Sequence, residues 1–323
     1  MNTKRPKIAV VIPCYRVKNN LESVLTNVGE EVTAIFCVDD NCPEESWRVA
    51  DAFAKKDNRI QIIKRDQNGG VGAAVISGYK AALKGDIDII VKIDGDGQMS
   101  PKLVPIFVKP IVENRADFVK GNRFYNLNSI NGMPLVRIIG NSILSFINKF
   151  SCGYWDLFDS NNGYTAIHSK VLRLIPLDKL NKRFFHEADM LFRLSTVRAV
   201  VKNIPMDSVY DDEKSNLSIV NILLTFPYLH LNRTFKRIFY NYFLRNFNIA
   251  SLYLVLGLLL SIFGFWYGIY SWLDLSRNDQ AASAGTVMLA AMPIIIGNIY
   301  LVGFLAYDMQ DTPKDPIHRD LIK

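Results

Sequence analysis

Asp94 and Asp96 stand one residue apart, directly after the apolar, β-branched run Ile87-Asp88-Ile89-Ile90-Val91-Lys92-Ile93. A run of that kind reads as a buried strand, so the two carboxylates fall where the strand gives way to a loop. In open α/β sheets ligands bind outside the carboxyl ends of the strands. Two carboxylates so close raise each other's pKa unless a cation joins them. Hard oxygen ligands suit Mg²⁺ or Mn²⁺, which take one or two carboxylates and complete their shell with substrate phosphates. A solvated Asp-Gly turn is the plainer alternative.

Other residues with chemical potential lie downstream. In Phe184-Phe185-His186-Glu187-Ala188-Asp189, two acids sit just inside a helix. They are two positions apart and therefore point in different directions, so only one can face a cleft. A carboxylate there would serve as base for a hydroxyl acceptor, whereas a phosphate acceptor is already anionic. Acids favouring a helix N-terminus explain the pair equally. Arg123 follows a strand end, where a guanidinium can grip phosphate in a bidentate way or form an ion pair. Asn68-Gly69-Gly70-Val71-Gly72-Ala73-Ala74 opens a helix and offers backbone N–H groups to a phosphate, or close helix–sheet packing. It is neither a P-loop nor a dinucleotide fingerprint.

The elements that must hold these groups alternate between strand and helix. Strands are expected at residues 7–13, 33–38, 60–64, 87–93 and 116–120. Helices are expected at 21–28, capped by Asn19 or Asn20, at 44–55, and from the glycine-rich segment to 83. Such alternation gives a largely parallel sheet with right-handed crossovers. The polar ends Pro13-Cys14-Tyr15, Asp39-Asp40-Asn41 and Asp94-Gly95-Asp96 then lie side by side.

The chain has 323 residues and a formal net charge of +7, room for one large domain or two modest ones. The globular part holds no Lys/Arg-rich block interleaved with aromatics, which argues against nucleic acid. Cys14, Cys37, Cys42 and Cys152 include no C-x-x-C pair and read as reduced structural thiols. The apolar run after the basic N-terminus is strand-length and stops at Pro13 without a small-residue cleavage site, so a cytosolic N-terminus is expected.

Val11-Ile12-Pro13-Cys14-Tyr15, Val38-Asp39-Asp40, the glycine-rich segment and Asp94-Gly95-Asp96-Gly97-Gln98, in that order and spacing, resemble glycosyltransferase family 2. The chain is similar to its polyprenyl-phosphate branch, of which dolichyl-phosphate mannose synthase is typical, over most of residues 7–216. The resemblance implies a GT-A fold, a Rossmann-like mostly parallel sheet that binds a nucleotide sugar. It implies that Pro13, Tyr15, Asn68, Gly72 and Gln98 line the donor site. Asp39 or Asp40 would read the base or ribose, Asp94 would contact the donor, and Asp96, with Asp94, would hold Mg²⁺ or Mn²⁺ on the diphosphate. Arg123 and Lys214 would meet the acceptor phosphate, Lys214 from a loop over the donor. Three places depart from the family pattern: Arg16-Val17-Lys18 where Asn-Glu is usual, Cys42 for a serine, and Thr165 for an arginine.

From Leu217 the composition changes. Residues 217–247 place Arg233, Lys236, Arg237 and Arg245 among Phe235, Phe239, Tyr240, Tyr242 and Phe243, as an amphipathic helix at a membrane interface would. Residues 249–272 and 285–307 are each long and apolar enough to span a bilayer, joined by a turn at 274–280. Trp266, Tyr267, Tyr270 and Trp272 suit an interface, and Pro293 is tolerable in lipid. Positive charge before the first span and in the tail (308–323) exceeds that of the turn. Both ends and the catalytic domain (1–216) are therefore expected on the cytoplasmic side of the inner membrane. Small residues on the hairpin also suit assembly into a homo-oligomer.

The expected activity is inverting, metal-dependent transfer of one sugar from a UDP- or GDP-hexose to polyprenyl phosphate. A family 2 enzyme extending a lipid-linked saccharide at a hydroxyl, with Glu187 or Asp189 as base, is the alternative. A non-catalytic membrane scaffold is the alternative from another class. A processive synthase would carry a Gln-x-x-Arg-Trp segment, which is absent from the sequence.

Overall fold

The computed structural model describes residues 5–125, 135–207 and 219–321. It divides into two units, Met1–Phe235 with Pro313–Lys323, and Lys236–Thr312.

The first unit is built on seven strands: β1 (Ile8–Cys14), β2 (Val32–Asp39), β3 (Ile60–Lys64), β4 (Ile89–Lys92), β5 (Phe118–Asn122), β6 (Thr165–His168) and β7 (Val201–Pro205). They are ordered β3-β2-β1-β4-β6-β5-β7. β1 pairs in parallel with β2 and β4, and β2 with β3. The chain moves outward from β1 to β3 and then returns to the other side of β1. That reversal opens a crevice between the carboxyl ends of β1 and β4.

β6 runs antiparallel to both β4 and β5, while β5 and β7 are parallel. The sheet is thus mixed on that side. β6 and β7 were not legible in the sequence, because four or five residues without clear alternation give little periodic signal. The antiparallel run brings the start of β6 to the edge where β4 and β5 end.

Both faces of the sheet are covered, which is why β1 is apolar at every position. Ile8, Val10 and Ile12 face one core with Leu21, Val24 and Phe107. Ala9 and Val11 face the other with Ala74, Tyr79, Leu191 and Leu194. The first core is covered by α1 (Lys18–Thr26), α2 (Trp47–Ala54) and α4 (Val104–Val112); the second by α3 (Val71–Lys84), α6 (Ser169–Leu174) and α7 (His186–Thr196).

α5 (Leu135–Cys152), which the sequence reading did not anticipate, packs on α7. α8 spans Ile219–Phe239. The chain's last described residues return to this unit: the N–H groups of Ile317 and His318 donate to Asp117, and the His318 ring lies 2.7 Å from the same carboxylate.

In the second unit, a π-helical turn (Tyr240–Arg245) precedes α9 (Ile249–Arg277) and α10 (Ala284–Gln310). Both helices are long and apolar enough to cross a bilayer. α9 runs through Arg277, so the connection begins later than the expected 274–280, at Asn278. The pair packs closely at glycines: a Cβ at Gly264 would lie 2.7 Å from the Ala290 carbonyl, and one at Gly297 2.8 Å from the Ser261 nitrogen. Asp308 is buried between the Arg237 guanidinium, at 2.6 and 2.9 Å, and the Tyr242 hydroxyl, at 2.7 Å.

Candidate active site

The Asp94-Gly95-Asp96 loop leaves β4 pressed against the end of β1. A Cβ on Gly95 would sit 3.3 Å from the Pro13 carbonyl and 3.2 Å from Val17. Asn20 does not cap α1, which begins at Lys18 with Val17 at its N-cap. Its amide instead donates to the Asp96 carbonyl at 2.6 Å, and Gly97 turns beside it with φ of 79°. The Gln98 N–H donates to the Asp96 carboxylate at 3.0 Å. Helix α1 therefore fixes the loop's path across the crevice.

Behind the loop lies a buried charge network that sequence reading missed. The ammonium of Lys92, on β4, stands 2.8 Å from Asp94 Oδ1 and 3.2 Å from Glu187 Oε1. Burial opposes the charge on Lys92, but Asp94 and then Glu187 more than offset it, raising its pKa. Burial likewise opposes ionisation of Glu187, yet Lys92, His186 and Lys120 hold its pKa below the usual carboxylate range. Lys120, on β5, donates to the Asn162 carbonyl, and burial pushes it down to about 8. A lysine inside an otherwise apolar strand was the available signal, since a buried ammonium requires a partner.

Gly163 completes this wall. A Cβ there would lie 2.1 Å from Asp94 Oδ2 and 2.5 Å from Lys92 Nζ, so backbone alone fits. Tyr79, Thr165, His186 and Glu187 line the same small cavity.

The other expected site residues divide clearly. Of the two acids on α7, Glu187 reaches Asp94 through Lys92. Asp189 is fully buried and accepts from the Asn181 N–H at 2.9 Å, from Arg193 at 3.3 Å and from Arg233 at 2.6 Å. It holds helices together. Arg123 is buried in a bidentate pair with Asp159, at 2.7 and 2.6 Å. Lys214 lies outside the described residues.

Asp40 accepts from the Gly69 and Gly70 N–H groups at 3.0 and 2.7 Å and pairs with Arg65 at 2.8 Å. Asn68, itself exposed, donates to the Asp40 carbonyl at 3.2 Å. Gly72 packs on backbone, its missing Cβ falling 2.4 Å from the Asn181 carbonyl. The glycine-rich segment thus spends these N–H groups on a carboxylate and its small size on close packing.

Asp39 differs. One oxygen accepts from the Cys42 N–H at 3.3 Å, while Oδ1 is buried with no hydrogen-bond partner among the described residues. Burial raises its pKa. Pro13 is buried in β1 opposite Val38, and Tyr15, at its end, is open to solvent beneath the Arg16 guanidinium.

The donor set fits a hard cation. Asp94 and Asp96 offer only oxygen, and no group of three or more His, Cys, Asp or Glu able to hold a metal occurs among the described residues. An ion bound here would take carboxylate oxygens from the protein and the rest from a ligand, as Mg²⁺ and Mn²⁺ do with phosphates.

Comparison with known proteins gives a consistent picture. The family model described as Glycosyl transferase family 2 matches residues 9–175. A UDP-N-acetylglucosamine–dolichyl-phosphate N-acetylglucosaminyltransferase of Methanococcus voltae is 27% identical over 232 residues, covering 68% of this chain and 92% of that protein. An undecaprenyl-phosphate mannosyltransferase of Micrococcus luteus is 26% identical, covering 63% and 84%. Among solved structures, the glucosyl-3-phosphoglycerate synthase of Mycobacterium tuberculosis, crystallised with Mn²⁺, UDP and phosphoglyceric acid, superposes with a TM-score of 0.54 at 16% identity. It covers 72% of this chain and 78% of that one, a likeness of fold.

Proposed function

The chain belongs to glycosyl transferase family 2, and we propose that it transfers one sugar, with inversion, from a UDP- or GDP-hexose to polyprenyl phosphate at the cytoplasmic face of a membrane crossed by α9 and α10. The two relatives named for dolichyl- and undecaprenyl-phosphate support that acceptor class.

The observation that carries the choice of acceptor is the pairing of Glu187 with Lys92, at 3.2 Å. A hydroxyl acceptor needs a carboxylate base whose pKa approaches the working pH. Glu187 is held below the ordinary carboxylate range and is a poor base, and Asp189 is buried among Asn181, Arg193 and Arg233. A phosphate acceptor arrives as an anion and needs no base.

In this reading the crevice between β1 and β4 receives the nucleotide, and Asp39 Oδ1 accepts from its base or ribose. Asp94, steadied by Lys92 and by the close backbone of Gly163, contacts the sugar. Mg²⁺ or Mn²⁺ held by Asp96 and Asp94 would neutralise the leaving diphosphate. The crystallised M. tuberculosis synthase, with Mn²⁺ and UDP, supports the same ligand class. Arg123 is clasped by Asp159 at the end of β5, so its charge is largely balanced there, and an acceptor phosphate would have to share the guanidinium with that carboxylate.

The test is transfer of radiolabelled sugar from a panel of UDP- and GDP-hexoses to undecaprenyl phosphate by the detergent-purified full chain. A chloroform-soluble product that EDTA and Asp96→Asn both abolish is expected, with the anomeric configuration inverted by NMR. Metal-dependent nucleotide binding without any lipid product would overturn the phosphate acceptor and leave a hydroxyl in its place.

A further inference from the structure

Lys120 is a buried charge that the proposed transfer does not use. It stands on β5 between Val119 and Gly121 and is 1% exposed. Among the described residues it forms no ion pair, and its ammonium donates to the Asn162 carbonyl. A side chain that merely filled this space would be apolar, because an ammonium taken out of water and given a neutral acceptor is costly.

Asn162 belongs to the loop that joins α5 to β6, residues 153–164. Asp159 in that loop has a left-handed φ of 57°. It accepts from the Arg123 N–H at 3.1 Å and from the Arg123 guanidinium at 2.7 and 2.6 Å. The Asn162 side chain is fully buried, donates to Asp159 at 3.2 Å and accepts from the Tyr164 N–H at 2.9 Å. These contacts fix the side chains at 159 and 162, while Lys120 holds the peptide between Asn162 and Gly163. Gly163 backs Asp94: its missing Cβ would fall 2.1 Å from Asp94 Oδ2 and 2.5 Å from Lys92 Nζ. A trans peptide points its C=O and the following N–H in opposite directions. Holding the Asn162 carbonyl toward β5 therefore sets the direction of the Gly163 N–H and the path of the backbone against Asp94.

We propose, on the reading that Asp94 contacts the donor sugar, that Lys120 is a positioning residue for Asp94: its ammonium holds the peptide that keeps this carboxylate turned toward the crevice. Lys120 makes no hydrogen bond or ion pair with Asp94 and acts through Asn162 and Gly163. Its neighbours set its charge. Glu187 on α7 and Asp159 in the loop favour the ammonium, while Lys92 on β4 and Arg123 after β5 oppose it. Tyr79 on α3, Thr165 on β6 and His186 on α7 line the same cavity. Burial is the largest influence and brings the group down to about 8, whereas Lys92 is raised and stays charged. The hold on the carbonyl therefore weakens above that pH, because the ammonium is the stronger donor.

The test compares wild type with Lys120→Met as detergent-purified full chains, in transfer of radiolabelled sugar to undecaprenyl phosphate from the donor that wild type accepts. Methionine keeps an unbranched stem and removes the charge, so Tm should be unchanged or higher. kcat should fall roughly tenfold to a hundredfold with the donor KM within about twofold, as for a misplaced group rather than lost binding. Wild-type kcat should fall as pH rises through about 8, and Lys120→Met should lack that limb. A folded Lys120→Met with the kcat of wild type would overturn the inference and leave the transferase reading standing. If Lys120→Met loses Tm, the wild-type profile decides. A kcat that stays flat between about pH 7 and 9 overturns the inference, and a fall there at constant Tm supports it. A wild type that gives no lipid product with any donor overturns the proposed reaction and the inference with it.

Discussion

Lys92 Nζ lies 3.2 Å from Glu187 Oε1, joining the fourth strand to the first turn of α7 across 95 residues of sequence. The same ammonium touches Asp94 at 2.8 Å. One buried cation thus sets the position of the carboxylate facing the crevice and the protonation of the one behind it.

Lys92→Met should be damaging because it leaves two carboxylates without their buried counter-charge. The cost of breaking such a pair is about 3 kcal/mol. Glu187→Gln in the same chain should restore much of the stability but not the transfer rate, since Asp94 remains unsupported. Thermal unfolding and turnover of the two single variants and the double variant measure the coupling.

Gly163→Ala separates geometry from chemistry. The added methyl would lie 2.1 Å from Asp94 Oδ2 and must displace it. A misplacement of that order should lower kcat roughly a hundredfold. Circular dichroism should stay native and the loss should appear in steady-state transfer.

Asp39 and Asp40 should fail differently. Asp39→Asn alters a buried oxygen that has no hydrogen-bond partner among the described residues, so the KM for the nucleotide sugar should rise roughly tenfold with little change in Tm. Asp40→Ala strips the Gly69 and Gly70 N–H groups and Arg65 of their acceptor. It should lower Tm first. Equal behaviour of the two variants would remove the distinction.

Stability should fall between pH 6.5 and 4. Burial holds His168 and His230 down to about 4 in the folded chain, against about 6.5 for an ordinary histidine. The unfolded chain therefore binds more protons in that window. The stabilisation is complete above 6.5 and is lost as pH falls toward 4. His168→Asn keeps an acceptor for the Lys170 N–H but does not titrate, so it should flatten the slope of Tm against pH.

Asp308→Asn should loosen the second unit. Arg237 would keep its charge in a buried place while losing its bidentate carboxylate, a loss of about 3 kcal/mol. Detergent-resistant helicity measured against temperature is the readout.

Much of the catalytic architecture was legible because it is local. The apolar run at 60–64 is a strand with the bounds its periodicity predicts, and the alternation behind the parallel half of the sheet is likewise periodic. Asp94 and Asp96 fell at a strand end because an apolar run stops there. The two apolar helices declared themselves by length. β6 and α5 did not: the first is four residues long, and the second buries Ser145, Asn148 and Ser151 while Ile139, Ile143 and Phe146 are exposed, the reverse of the pattern expected of a helix on a core.

What only the tertiary structure decided is the partner of each charge. Sequence spacing showed that Glu187 and Asp189 must point apart; it took β4 and α8 to turn one toward Lys92 and the other toward Arg233. Arg123 meets Asp159 across 36 residues, and Asp117 meets His318 across 201. Burial makes such pairings obligatory, because an unpartnered charge away from water is too costly to persist. Which partner supplies the counter-charge depends on strands and helices far apart in the chain, and that choice is made when the sheet closes.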